Sequence, residues 1–171
     1  MISYKWRSDE SKTRTFDREI GRLLTFLSQT KQSPHLDLRQ YERAIANPSF
    51  HTVLAFESDN LAPYDVVGMA SILYKDNLVR PLAEIHEVVV EDAYKGKGIG
   101  KGLMDELLWH SKKYAMHLGQ CVRLSLTSRP DRIAANALYI KLGFQLIAKA
   151  IIIEGIIEEG STNLYILDVH P

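Results

Sequence analysis

The chain has 171 residues, 46% of them hydrophobic and 25% charged, enough for one sizeable core and short for two. Lysine plus arginine and aspartate plus glutamate each total 21, so the formal net charge is zero and no overall positive field draws the chain to nucleic acid. The opening MISYKWRSDESK has no apolar leader core, no run approaches the ~20 apolar residues of a membrane span, and Cys121 is the single cysteine, so the sequence points to a cytosolic protein without a membrane partner.

No internal repeat, low-complexity tract or long linker interrupts residues 1–171, which read as one domain. Ile2 to Arg7 alternates as a first strand. After a polar stretch from Asp9 to Thr13, Phe16, Ile20, Leu23, Leu24 and Leu27 share one helical face. Pro34 precedes a second helical stretch, Leu38 to Ala46, stopped by Asn47-Pro48. The period then shortens: Thr52 to Glu57 reads as a strand, Asn60 to Asp65 as a turn containing Pro63, and Val66 to Tyr74 as the antiparallel partner. Glu84 to Val90 is the next strand, apolar on both faces at Val88, Val89 and Val90 as at the centre of a sheet. A helix follows with Leu103, Leu107, Tyr114 and Leu118 as its buried stripe, ending at Gly119. Cys121 to Thr127 returns as a strand, Arg132 to Leu142 forms a helix stopped at Gly143, and Phe144 to Ile153 and Asn163 to Val169 close the chain, joined by a turn at Glu158-Glu159-Gly160-Ser161. The order βααβββαβαββ is mixed α/β (α+β) with a largely antiparallel front half.

The most informative stretch lies between the Glu84 strand and the long helix. Gly96, Gly98 and Gly100 let the backbone come close to a ligand, and the free N–H groups of a helix beginning near Ile99 point at whatever sits there. Lys95, Lys97 and Lys101 add positive charge, so a pyrophosphate or several phosphates are the natural guests. Two familiar nucleotide motifs are excluded. No glycine stands at the GxxxxGK[ST] spacing of a Walker A loop, and the third glycine of GxGxxG would fall on Lys101 or Leu103.

Lys95-Gly96-Lys97-Gly98-Ile99-Gly100 resembles motif A of the GNAT superfamily of acyl-CoA-dependent N-acetyltransferases, [Q/R]-x-x-G-x-[G/A], with Lys95 departing from the usual Gln or Arg. Lysine keeps the charge but loses the planar fork. Ala135, Asn136, Leu138, Tyr139, Leu142, Gly143 and Phe144 resemble the family's motif B, roughly A-N-x-L-Y-x-x-L-G-F, in the right order after motif A. The resemblance implies a mostly antiparallel six- to seven-stranded sheet flanked by about four helices. It also implies acetyl-CoA as co-substrate, its pyrophosphate held by backbone groups of the loop Lys95, Gly96, Lys97, Gly98, Ile99, Gly100 and Lys101. Val88 to Val90 would pair with the pantetheine arm, the N–H of Val88 or Val89 would polarise the thioester carbonyl, and Asn136 would touch the arm or the phosphates.

Acetyl transfer also needs a neutral amine and a proton for the departing thiolate. A lysine-like amine has a pKa of about 10.4 and arrives protonated, so a base is required. Glu84 and His86, two apart, share a strand face, while Glu87 points to the other. By the resemblance, Glu84 and His86 occupy positions where family members place a catalytic Glu or His, and either serves as base or water-orienting residue, with Glu87 a third candidate by reach alone. Taken alone they make an ordinary polar strand face. Tyr139 by its spacing would be core; the resemblance makes it the acid that protonates the leaving thiolate. Arg129, Arg132 and Lys141 flank the same helix and could meet the adenosine phosphates. His110 and His117 lie too far apart in sequence for an i, i+4 metal pair, and no catalytic metal is expected.

The resulting expectation is transfer of acetyl from acetyl-CoA to a primary amine, on a small molecule or a peptide, by direct attack in a ternary complex. The competing reading is a catalytically weak CoA-binding sensor or scaffold. An isoleucine-rich stretch from Ala150 to Ile157 needs cover, either within the monomer or from a second copy in a homodimer.

Overall fold

A computed structural model describes residues 1–6, 17–27, 43–57, 65–153 and 156–171. In chain order these form β1 (Ile2–Trp6), α1 (Asp17–Thr25), α2 (described at 43–46), β2 (Phe50–Glu57), β3 (Asp65–Lys75) and β4 (Leu82–Val90). A short 3-10 turn (Asp92–Tyr94), α3 (Ile99–Leu118), β5 (Val122–Ser128), α4 (Ile133–Lys141), β6 (Gln145–Ile153) and β7 (Ile156–Val169) follow. The seven strands take the order β1-β2-β3-β4-β5-β7-β6. Pairings β1–β2, β2–β3, β5–β7 and β6–β7 are antiparallel and β4–β5 is parallel. A parallel pair needs a long crossover, and α3 supplies it. This is the expected mixed, mostly antiparallel sheet with four helices. The polar stretch Asp9–Thr13, Phe16, Pro34, the start of the second helix at Leu38 and the turn at Pro63 lie outside the described residues.

The chain divides into two compact units, one of Met1–Leu73 with Glu87–Trp109 and one of Tyr74–His86 with His110–Pro171. In the first, α1 lays Ile20 and Leu23 against Leu54, Phe56, Val66, Met69 and Val89. Each such side chain contributes roughly 1.5–3 kcal/mol by leaving water. On the opposite face β2 and β3 present small residues, because Ala55 pairs with Gly68 and Val53 with Ala70. A Cβ on Gly68 would come within 3.2 Å of Leu103 Cδ1 and 3.1 Å of the Val89 carbonyl, so this face is kept small to admit the head of α3. Arg22 fastens α1 by donating to the Val66 carbonyl at 2.9 Å and pairing with Glu91 at 2.7 Å.

In the second unit Ala83, Ile85, Val122, Leu124, Leu126, Tyr139, Phe144 and Tyr165 are buried. Arg123 and Asp168 stand opposite each other on β5 and β7 and share two parallel hydrogen bonds of 2.7 Å each. Tyr74, also buried, has its hydroxyl 2.8 Å from His110 Nδ1 and 3.1 Å from Ser111 Oγ.

Three expectations change. Glu158 to Ser161 do not form the last turn but belong to β7, where Glu158 pairs with Ile151 and Glu159 with Ala150. The buried residues of α3 are Ile99, Leu103, Met104, Leu107, Ser111 and Ala115, whereas Tyr114 and Leu118 are only half-buried. Cys121 precedes β5 rather than opening it, and is half-buried with a free thiol.

Candidate active site

The first unit carries the loop between β4 and α3. Gly96 and Gly98 have φ of +77° and +81°, a left-handed backbone that other residues adopt only with strain. Among the described residues a Cβ at either position would meet nothing within 4 Å, so conformation rather than crowding demands glycine here. Gly102 N–H donates to the Gly98 carbonyl at 3.0 Å as α3 begins. The N–H groups of Ile99, Gly100 and Lys101 precede that bond and are the donors a helix start offers to an anion. Ile99, fully buried, pins this end of the helix.

The three lysines of the loop each have a neighbour. Lys95 is ion-paired with Asp92 and Lys101 with Asp105 at 2.6 Å, while Lys97 lies 4.4 Å from the centroid of the Tyr94 ring. Tyr94 in turn donates its hydroxyl to Glu57. The lysine charges are therefore partly answered by neighbours, and backbone donors carry more of the attraction for a phosphate. Val89 is buried, and Val88 and Val90 are half-buried, on the last turn of β4 before the loop.

The second unit carries the side chains expected to handle protons. Glu84 Oε2 lies 2.6 Å from Lys75 Nζ and 3.5 Å from His86 Nε2, so Glu84 and His86 do share a strand face, and a lysine completes the cluster. Tyr139 is buried on α4 beside Phe144 and Tyr165, its ring centroid 6.2 and 5.6 Å from theirs. Burial pushes its phenol up to about 12, although the Arg132 charge opposes the shift. One turn earlier, Asn136 Nδ2 donates to the Arg129 carbonyl at 2.9 Å, fastening the loop that enters α4. Arg129 pairs with Asp131 at 3.2 Å, and burial together with Arg129 pulls the Arg132 guanidinium below its ordinary range.

Two buried polar atoms in this unit, Asn136 Oδ1 and Ser128 Oγ, have no hydrogen-bond partner among the described residues. Such atoms are costly unless a ligand or water answers them, and an acceptor of this kind suits the amide N–H groups of a pantetheine arm. The helix start in the one unit and these acceptors in the other are each of a kind that CoA offers partners for.

One feature was not legible beforehand. Glu87, in the middle of β4, has φ of 56°, alone among the described non-glycine residues in being positive. The regular alternation breaks there, and both His86 and Glu87 are exposed. Glu87 Oε2 accepts a 3.0 Å hydrogen bond from Ser71, which is itself 3.1 Å from Thr52 Oγ1.

A left-handed glycine loop that ends at a helix start suits a phosphate-bearing ligand. A sequence model of the Acetyltransferase (GNAT) family matches residues 17–144. N-alpha-acetyltransferase RimI of Mycobacterium tuberculosis is 35% identical over 105 residues, covering 61% of this chain and 58% of that protein. The match thus spans little more than half the length of that curated relative. Among solved structures, the NatC complex bound to Gag peptide and CoA superposes with a TM-score of 0.72 at 22% identity over 98% of both chains. An acetyltransferase of the GNAT family from Staphylococcus aureus Mu50 does so with a TM-score of 0.69 at 18% identity over 99% of both. The structural likenesses speak for the fold, and the family match takes in both the glycine loop and α4; the chain belongs to the GNAT family of acetyltransferases.

Proposed function

We propose that residues 1–171 act as one catalytic domain that moves an acetyl group from acetyl-CoA to a primary amine by direct attack in a ternary complex. The observation that carries this reading is the loop at Gly96 and Gly98, left-handed and delivering three N–H donors at the head of α3. Bound acetyl-CoA would supply an activated thioester. Val88 to Val90 hold the pantetheine arm through their backbone, and the N–H of Val88 or Val89 polarises the carbonyl. Asn136 Oδ1 receives an amide N–H of the arm. Glu84 or His86 takes the proton of the incoming ammonium, directly or through water, and Tyr139 gives one to the departing thiolate.

The acceptor is the α-amine of a peptide. Support comes from the relative at 35% identity, named an N-alpha-acetyltransferase, and from the structural neighbour bound to a peptide and CoA. The reading places the protein in the cytosol, in keeping with the free thiol of Cys121.

Titration calorimetry with acetyl-CoA tests it. Wild type binds in the micromolar range, and Gly98→Glu, which puts bulk and negative charge into the cradle, loses binding while circular dichroism stays native. Gly98→Asn separates charge from backbone strain, because asparagine tolerates the left-handed region, and it keeps most of the affinity. No binding by wild type would end the proposal.

A further inference from the structure

We propose that Glu87 is the carboxylate that receives the positive charge of the acceptor, an ammonium-recognition residue distinct from the proton-handling pair Glu84 and His86. The inference rests on the transferase reading above and adds to it how the amine is selected.

The backbone carries the first argument. A glutamate at φ 56° in the interior of a strand is held in a conformation that costs roughly 1–2 kcal/mol and that its own side chain does nothing to favour. The distortion turns the side chain at the residue before Val88, the start of the segment that the transferase reading sets against the thioester. Its exposed carboxylate stands there without an ion-pair partner among the described residues.

The second argument lies beneath it. Thr52 and Ser71 are directly paired across β2 and β3, 5% and 0% exposed, in a region where their neighbours are Val53, Leu54, Ala70 and Ile72. Two hydroxyls in such a place are less favourable than two apolar side chains unless they have a task. Theirs forms a line: Thr52 Oγ1 to Ser71 Oγ at 3.1 Å, then Ser71 Oγ to Glu87 Oε2 at 3.0 Å. A glutamate that merely solvates a surface needs no anchor reaching into the sheet. An anchor on one oxygen fixes the carboxylate and leaves Oε1, which has no hydrogen bond among the described residues, to face a ligand. Amine acceptors dock protonated at neutral pH, so a fixed, exposed carboxylate beside the reacting segment selects them by charge; the proton then leaves to Glu84 or His86 before attack.

The experiment follows CoA release from acetyl-CoA with three probes: a seryl and an alanyl tripeptide amide, each with a free α-amine, and methoxyamine, which is uncharged at neutral pH. Glu87→Gln keeps an oxygen for Ser71 but no charge. It should raise KM for both peptides roughly 10- to 100-fold, the range of a lost charge-assisted hydrogen bond. The KM for methoxyamine should move no more than about threefold, and calorimetric affinity for acetyl-CoA should stay unchanged, since charge recognition alone has been removed. Glu87→Asp, which retains charge in a residue tolerant of left-handed backbone, should restore much of the peptide KM. Ser71→Ala, independent of any change at Glu87, should raise peptide KM by freeing the carboxylate. An unchanged peptide KM in Glu87→Gln, an equal loss with methoxyamine, or no transfer to either peptide by wild type that still binds acetyl-CoA would each overturn the role of Glu87. Failure of wild type to bind acetyl-CoA would instead bring down the transferase reading itself.

Discussion

On the proposed reading Tyr139 is the acid that meets the departing thiolate; such an acid must stay protonated until the thiolate forms, and burial favours that. Its phenol, pushed from 10.0 to about 12, remains neutral across the whole working range, while a thiol near 8.5 leaves as the stronger acid. The penalty is a weaker driving force for proton donation, which positioning must offset. Replacing Tyr139 by Phe should lower kcat by about 10²-fold or more and leave acetyl-CoA affinity within about twofold, as read by steady-state kinetics beside calorimetry. The wild-type profile of kcat against pH should show no alkaline loss from this tyrosine below about pH 11; a descending limb near pH 9 that vanishes in Tyr139→Phe would contradict the assignment. The burial of Tyr139 was legible in its helical spacing, whereas the roles proposed for it and for Asn136 came from the resemblance to motif B. The setting of Glu87 was not legible, since its left-handed backbone and its support from Ser71 and Thr52 depend on the register of three strands that are distant in sequence. A charge count likewise does not reveal that Asp92 stands beside Lys95 and Asp105 beside Lys101.

Between elements, the head of α3 is set by how closely β1 approaches it. A Cβ on Gly102 would collide with the hydroxyl and the ring of Tyr4, and Trp6 on the same strand donates to Glu106 at 3.0 Å. Gly102→Ala should therefore cost about 1–3 kcal/mol in urea unfolding. Tyr4→Ala in the same chain should recover most of that loss, whereas Tyr4→Phe should not, because the ring carbon still collides. Additive effects of Gly102→Ala and Tyr4→Ala would show that the contact is not the constraint. Helices and central strands were readable from the sequence because their burial period is local, as with Ile20 and Leu23 on α1 or Leu103 and Leu107 on α3. The start of β7 was not. Glu158-Glu159-Gly160-Ser161 has the composition of a turn, yet pairing with Ala150 and Ile151 on β6 extends the strand through it, since cross-strand partners outweigh intrinsic preference.

At the level of the whole chain, a hydrogen-bonded carboxylate and two buried tyrosines set opposite limits on stability. Asp168 is held below its usual 3.8, first by the hydrogen bonds from Arg123 and then by the charges of Arg123 and Arg80. A lowered carboxylate stabilises the fold above its unfolded value, and the contribution disappears as pH falls through the folded one. Stability should thus decline below about pH 4, and Asp168→Asn, less stable at neutral pH, should show a shallower decline. On the alkaline side Tyr74 and Tyr139 are both raised from 10.0 to about 12 by burial. A raised group contributes fully below its unfolded value and loses that contribution as pH climbs through the folded one, so the window runs from about pH 10 to 12. Each tyrosine weakens the fold there by on the order of 3 kcal/mol, since the unfolded chain ionises first. Urea midpoints taken at pH 9 and pH 11.5 should separate widely for wild type and less for Tyr74→Phe, even though that variant starts lower after losing the bonds to His110 and Ser111. An equal separation in the two proteins would mean that Tyr74 ionises in the folded state as readily as in the unfolded chain, and that its hydroxyl is not a closed, neutral contact between β3 and α3.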